Sequence, residues 1–207
     1  PVPVVGDALE YHDYALHLVE SGRYVGTQGA AAVRMPGYPL FLAAIRLVFG
    51  GALAPVLAAQ CLLGAMTCLL LYRLALRLLP KPWPLCCGLI AAAYFDLIAP
   101  SALLLSECLY SFFLVASVCA LFKQEWPSGR RALAFGALSG CLYLIRPEPL
   151  PYILATIALL PRLLPGFGRR EVLKALAATA LGAGLWVGRN FMVFHHLVPA
   201  SSVGRHV

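Results

Sequence analysis

The residues best suited to chemistry cluster near the start of the chain, in GDALEYHDYALHL at positions 6–18. On a helix beginning near Asp7, the residues Glu10, Tyr11 and Tyr14 recur at intervals of three and four, on Asp7's face. A carboxylate set among aromatic rings at a membrane surface suits a general base, since partial burial tunes its basicity. The same residues admit a structural role. Acids in a first turn complement the helix dipole, with Asp7 as the N-cap and the others forming a solvated face.

A second group follows in RMPGYPLFL, residues 34–42. Arg34 stands where it can meet a phosphate, Pro36 and Pro39 stiffen the chain, and Gly37 permits close approach. Tyr38 and Phe41 suit a membrane interface. Glu107, in LLLSECLYSFF, is an ionisable residue near the end of an apolar run, which requires a cavity or a partner; Asp96 has a weaker claim at a loop end. The turn IRPEPLP carries Arg146 and Glu148, which either serve a ligand or pair with each other. GLWVGRNFMVFHHLVP adds Arg189, Asn190, His195 and His196. The adjacent histidines point different ways on a helix, so no metal constellation follows from them. The seven cysteines all lie in apolar runs without a CxxC pair, which makes them small packing residues.

The elements that position these groups are those of a membrane protein. The 207 residues are 61% hydrophobic and only 12% charged, against about 25% charged in a soluble domain. The apolar residues also come in long blocks. Residues 8–20 read as a short helix stopped by Ser21-Gly22, and residues 36–50 as an interfacial helix too short to span. Six spans are expected at 52–79, 85–99, 102–122, 132–145, 150–164 and 172–187, with charged links at 123–131 and 169–174. The fold class is therefore all-α, a polytopic transmembrane bundle. Residues 1–51 form an external loop with juxtamembrane helices, 52–190 the bundle, and 191–207 the start of another external loop. With Pro1 in place of Met and no signal peptide, the chain reads as an internal piece of a longer protein, with at least one helix expected before it.

Ten of the sixteen basic residues, from Arg73 to Lys174, map to one side of these spans, which the positive-inside rule makes the cytoplasm. Seven of the nine acids and all five histidines fall on the other side. This sorting explains the net charge of +7 through anionic lipid head groups and leaves no case for nucleic acid.

In this order, GDALEYHDYALHLVESGRY, RMPGYPLFLAAIRLVFG, LLLSECLYSFFLVAS, FGALSGCLYLIRPEPLPYIL and GLWVGRNFMVFHHLVPASS resemble the lipid-linked-sugar glycosyltransferases of the GT-C fold. The similarity is to the protein mannosyltransferase and aminoarabinose transferase branch, and it covers nearly the whole chain. The resemblance implies an inverting transfer from a polyprenyl-phosphate sugar to a lipid, glycan or protein acceptor. It would occur on the external face of a bacterial inner membrane. Asp7 matches the proposed catalytic base and Tyr11 the aromatic position after it. Arg34, Arg146 and Arg189, in that order, would meet the lipid phosphate. Glu10, Tyr38, Glu107 and Asn190 complete the expected substrate-binding set. Ala8 stands where relatives often carry a second acid, a place Glu10 would fill. No cofactor is implied, though a divalent metal stays compatible with the pattern. A membrane transporter or a non-catalytic membrane subunit are the alternatives, the former disfavoured by the absence of paired, interrupted halves.

Overall fold

Glycine and proline set the boundaries of the first elements. In the computed structural model, which describes residues 6–26, 29 and 31–200, α1 spans Asp7–Ser21 and stops at Gly22. Gly22 is left-handed (φ 67°), and its N–H closes on the Leu18 carbonyl at 3.1 Å. Helix α2, Gly37–Phe49, begins against Pro36 and ends at Gly50, also at positive φ (73°). Both short helices expected before residue 51 are thus present. Then come α3 (Ala54–Leu78), α4 (Trp83–Ala93), α5 (Phe95–Ile98), a 3-10 turn at Ala99–Ala102, and α6 (Glu107–Leu121). The last three are α7 (Ser128–Ile145), α8 (Leu150–Leu163) and α9 (Arg169–Phe194). No strand occurs among the described residues.

Two helices are long and apolar enough to cross a membrane, the 25-residue α3 and the 26-residue α9. At 1.5 Å per residue each reaches about 38 Å, against a hydrocarbon core of about 30 Å. A third candidate forms if α4 and the segment 95–102 count as one span bent by 61°. The remaining apolar helices, α2, α6 and α8, are shorter than a crossing requires, and α7 carries Arg130 and Arg131 in its first turn. Two or three spans, rather than six, therefore meet the length criterion.

Three boundaries differ from expectation for identifiable reasons. The expected span at 85–99 breaks at Tyr94, ahead of Pro100, and the chain turns back against α3. Gln60 of α3, fully buried, makes that break tolerable. Its Nε2 donates to the carbonyls of Leu103 (2.7 Å), Pro100 (3.2 Å) and Ser101 (3.3 Å), adding to the backbone bonds that the first two already accept from the Leu105 and Leu103 amides. The charged link 169–174 is instead the first turn of α9. Glu171 Oε2 accepts from the Gly168 N–H at 3.1 Å, satisfying an amide at the helix start. Helix α9 also runs past residue 190 to Phe194, where His195 ends it in the left-handed conformation.

Small residues join α7 to α9. A Cβ on Gly136 would lie 2.3 Å from the Ala175 carbonyl oxygen, and one on Gly182 would lie 2.9 Å from Gly140 Cα. Thr179 donates across the same contact to the Gly136 carbonyl at 3.2 Å. Close backbone approach of this kind replaces the hydrophobic drive that lipid cannot supply. Around it, Leu121, Phe135, Leu142, Ile153, Ile157 and Leu160 form one core, while Tyr11, Tyr38, Leu104, Leu109 and Ile145 form another under α1 and α2. Leucines on the outer faces, among them Leu62, Leu89, Leu181 and Leu185, stay exposed.

Gly136→Ala is expected to destabilise the protein by about 3 kcal/mol, because the blocking atom is backbone and cannot rotate away. Gly184→Ala, with nothing within 4 Å of its added Cβ, is expected to leave stability unchanged. Unfolding in detergent, followed by circular dichroism, compares the two.

Candidate functional site

Helix α1 does not begin with an aspartate cap. Gly6 occupies the cap position, and no side chain caps the helix. Asp7, the first helical residue, instead turns its carboxylate to Arg34 in the loop before α2. Arg34 Nη2 pairs with Asp7 Oδ1, and its Nε donates to Glu10 Oε2 at 2.5 Å. One guanidinium thus holds two carboxylates one helical turn apart. Its Cζ lies 5.4 Å from the Tyr11 ring centre. Burial pulls the Arg34 pKa down, but the hydrogen bonds to Glu10 and Asp7 outweigh that and leave it above the ordinary arginine value. The Asp7 side chain is 57% exposed and that of Arg34 only 23%. The acid therefore remains open to a ligand while the cation does not.

Further along the helix, the side of α1 that carries Asp7 turns inward and becomes the floor. Ala8, Tyr11, Tyr14 and Ala15 are buried. An acid at position 8 would enter the apolar core, so the second carboxylate beside Asp7 is that of Glu10. Tyr11 meets Tyr38 edge to face, with ring centres 4.9 Å apart. Tyr38 is wholly buried, and its hydroxyl donates to Gln60 Oε1 at 2.5 Å, which commits it to the scaffold and leaves it no surface for a ligand.

Arg146 and Glu148 do not pair with each other. Arg146 reaches α6 instead, donating through Nη2 to Glu107 Oε1 (2.5 Å) and through Nε to Ser106 Oγ (3.0 Å). Its guanidinium sits 5.7 Å from the Tyr110 ring centre. The second Glu107 oxygen, Oε2, is buried without a partner among the described residues. Glu107 and Arg146 thus form an ion pair beside the same apolar cluster that carries Tyr11 and Tyr38.

Arg189 and Asn190 anchor the loop from the far end of α9. Arg189 donates to the carbonyls of Ala31 (2.7 Å) and Tyr24 (2.9 Å), and its guanidinium lies against Tyr24 and Trp186. Asn190 is fully buried, accepting from Arg189 and donating to the Val198 carbonyl at 3.0 Å. Tyr24 joins the two arginines, since its hydroxyl donates to the Arg34 carbonyl at 3.0 Å. Tyr14 receives the Val33 N–H at 3.0 Å and stacks on Tyr24. Burial raises the hydroxyl pKa of both tyrosines, so each stays a neutral phenol at any working pH.

Asp7, Glu10, Tyr11 and Arg34 thus stand together, with Tyr38 beneath them. Glu107 and Arg146 form a separate pair, and Arg189 with Asn190 a third group linked through Tyr24. Sequence reasoning missed Gln60 and Tyr24. Gln60 had a readable signal, a lone amide within an apolar span; Tyr24 had none. No cluster of three His, Cys, Asp or Glu suited to a metal exists among the described residues. No family model matches the chain, and no curated protein or solved structure matches it either.

Two expectations follow. Arg34→Gln should loosen the loop, seen as faster amide hydrogen exchange across residues 22–26 and 31–35, with overall stability lowered by only about 1 kcal/mol for a partly exposed pair. Gln60→Leu should cost about 2 kcal/mol, since it strands the buried Tyr38 hydroxyl and removes the side-chain bond to the Ser101 carbonyl. Adding Tyr38→Phe to it should cost less than the separate effects combined.

Proposed function

We propose that this chain is the catalytic part of an integral-membrane glycosyltransferase that moves a sugar from a polyprenyl-phosphate donor to an acceptor hydroxyl. The observation that carries the reading is the open Asp7 carboxylate, held by Arg34 beside Glu10 above an aromatic floor. In the proposed reaction Asp7 takes the proton of the acceptor hydroxyl. The acceptor oxygen forms its bond to the anomeric carbon as the bond to the phosphate oxygen breaks. The electron pair leaves with the lipid phosphate, and the configuration at the sugar inverts.

The roles of the arginines shift from the sequence reading. Arg34 is offset by two carboxylates, so its part is to aim Asp7 rather than to receive phosphate. Arg146 shares its charge with Glu107. Arg189 has no carboxylate partner among the described residues and bonds carbonyls, which makes it the strongest candidate for the leaving phosphate. The setting we propose is a multi-pass protein of the bacterial inner membrane, with Asp7 on the external side and a lipid, glycan or protein acceptor.

The bent pair of α4 and α5 favours one second reading, a transporter, because broken helices build substrate sites in such proteins. Against it, Gln60 already occupies the carbonyls after the bend.

In proteoliposomes supplied with a polyprenyl-phosphate sugar, Asp7→Asn in the intact protein is expected to lower transfer by at least about 100-fold, the usual scale of lost general-base catalysis. Asp7→Glu should retain part of the rate. Transfer by the Asn variant at the wild-type rate would remove Asp7 from the reaction.

A further inference from the structure

An open groove of about 460 Å³ runs along the outside of the bundle between α3 and α6. Its walls are aliphatic, with Leu71 and Leu74 on one side and Leu114, Val115 and Val118 on the other. At one end it is closed by Tyr152 and Glu148 near the start of α8. At the other end Leu74 is shared with a second recess of about 140 Å³, lined by Arg73, Arg77 and Lys123. Arg77 is engaged, donating to the Glu125 carboxylate at 2.9 Å and to the Phe122 carbonyl. Arg73 forms no ion pair among the described residues, and Lys123 shares the field of the one carboxylate, Glu125, with Arg77. Trp126 lies beside Lys123, with Lys123 Nζ 4.0 Å and Arg130 Cζ 4.1 Å from its ring centre. An indole flanked by cations at the end of an apolar groove marks the depth of lipid head groups.

We infer that this groove binds one anionic glycerophospholipid, its phosphate held by Arg73 and Lys123 and one acyl chain laid along α3 and α6. Charge selects the occupant: Arg73, Arg77 and Lys123 meet the single carboxylate of Glu125, an excess that a neutral helix or a zwitterionic lipid would leave unbalanced. Length agrees as well. From Tyr110 to Lys123 the α6 wall runs about 20 Å at 1.5 Å per residue, enough for the part of a chain inside one half of a core of about 30 Å. The site is at the end of the bundle away from Asp7 and does not depend on the chemistry proposed there.

Native mass spectrometry of the intact protein in detergent, titrated with palmitoyl-oleoyl phosphatidylglycerol or its phosphatidylcholine counterpart, tests this. The glycerol lipid should be retained preferentially, and the Arg73→Gln/Lys123→Gln double variant should weaken its binding about tenfold and abolish the preference. Arg162→Gln/Arg169→Gln, which removes the same charge elsewhere, should bind as wild type does. Leu74→Trp, which fills the groove while keeping the cations, should also weaken binding. Equal retention of both lipids by wild type, or undiminished phosphatidylglycerol binding in the double variant or in Leu74→Trp, overturns the proposal. So does a lipid-independent dimer that Leu74→Trp dissolves, which would assign the groove to a second copy.

Discussion

Arg34 is the residue on which the polar end of the molecule depends. Its side chain ties the start of α1 to the loop before α2, and its carbonyl receives Tyr24, which Arg189 holds from α9. Elements far apart in sequence meet through this single position. Each ion pair here is partly exposed and worth about 1 kcal/mol or less taken alone. Their combination with buried tyrosines ties the described residues of the loop, Tyr24 and 31–34, to α1 and α9. The pairing also decides what Asp7 can do, since a carboxylate aimed by a guanidinium and open on its other side is placed to receive a proton.

Beneath that end the scaffold obeys a different constraint. Helices as apolar as α3 and α9 would gain little in lipid from burying leucine, so specificity falls to close contacts and to polar groups that must be satisfied. The glycine contact between α7 and α9 supplies the first, bringing Arg189 to the loop. Gln60 supplies the second, bonding the backbone freed by the bend after α4 while holding Tyr38 under Tyr11. The floor of the site and the break in the helix are thus secured by one amide.

Much of this was legible in the sequence because it rests on local rules. The all-helical class follows from long apolar blocks, and the ends of α1 and α2 from Gly22, Pro36 and Gly50. The spacing of Asp7, Glu10 and Tyr11 placed them together on one helix. What escaped was set by tertiary contact. The break at Tyr94 has no local signal, because it depends on Gln60 thirty-odd residues earlier. The partner of Arg146 is Glu107 on another helix rather than its near neighbour Glu148. Pattern alone leaves Arg34 free to meet a phosphate, because it cannot show that two acids face it. The start of α9 within a charged link was missed because the link looked like a loop until Glu171 is seen bonding the Gly168 amide.

The central claim is a single displacement at the sugar carbon with Asp7 as base, and stereochemistry reads that most directly. Wild-type protein in proteoliposomes would be given a β-linked polyprenyl-phosphate hexose and an acceptor alcohol, and the anomeric proton of the product followed by NMR. An α-linked product is the predicted result. A β-linked product, which needs an even number of displacements, would contradict the account.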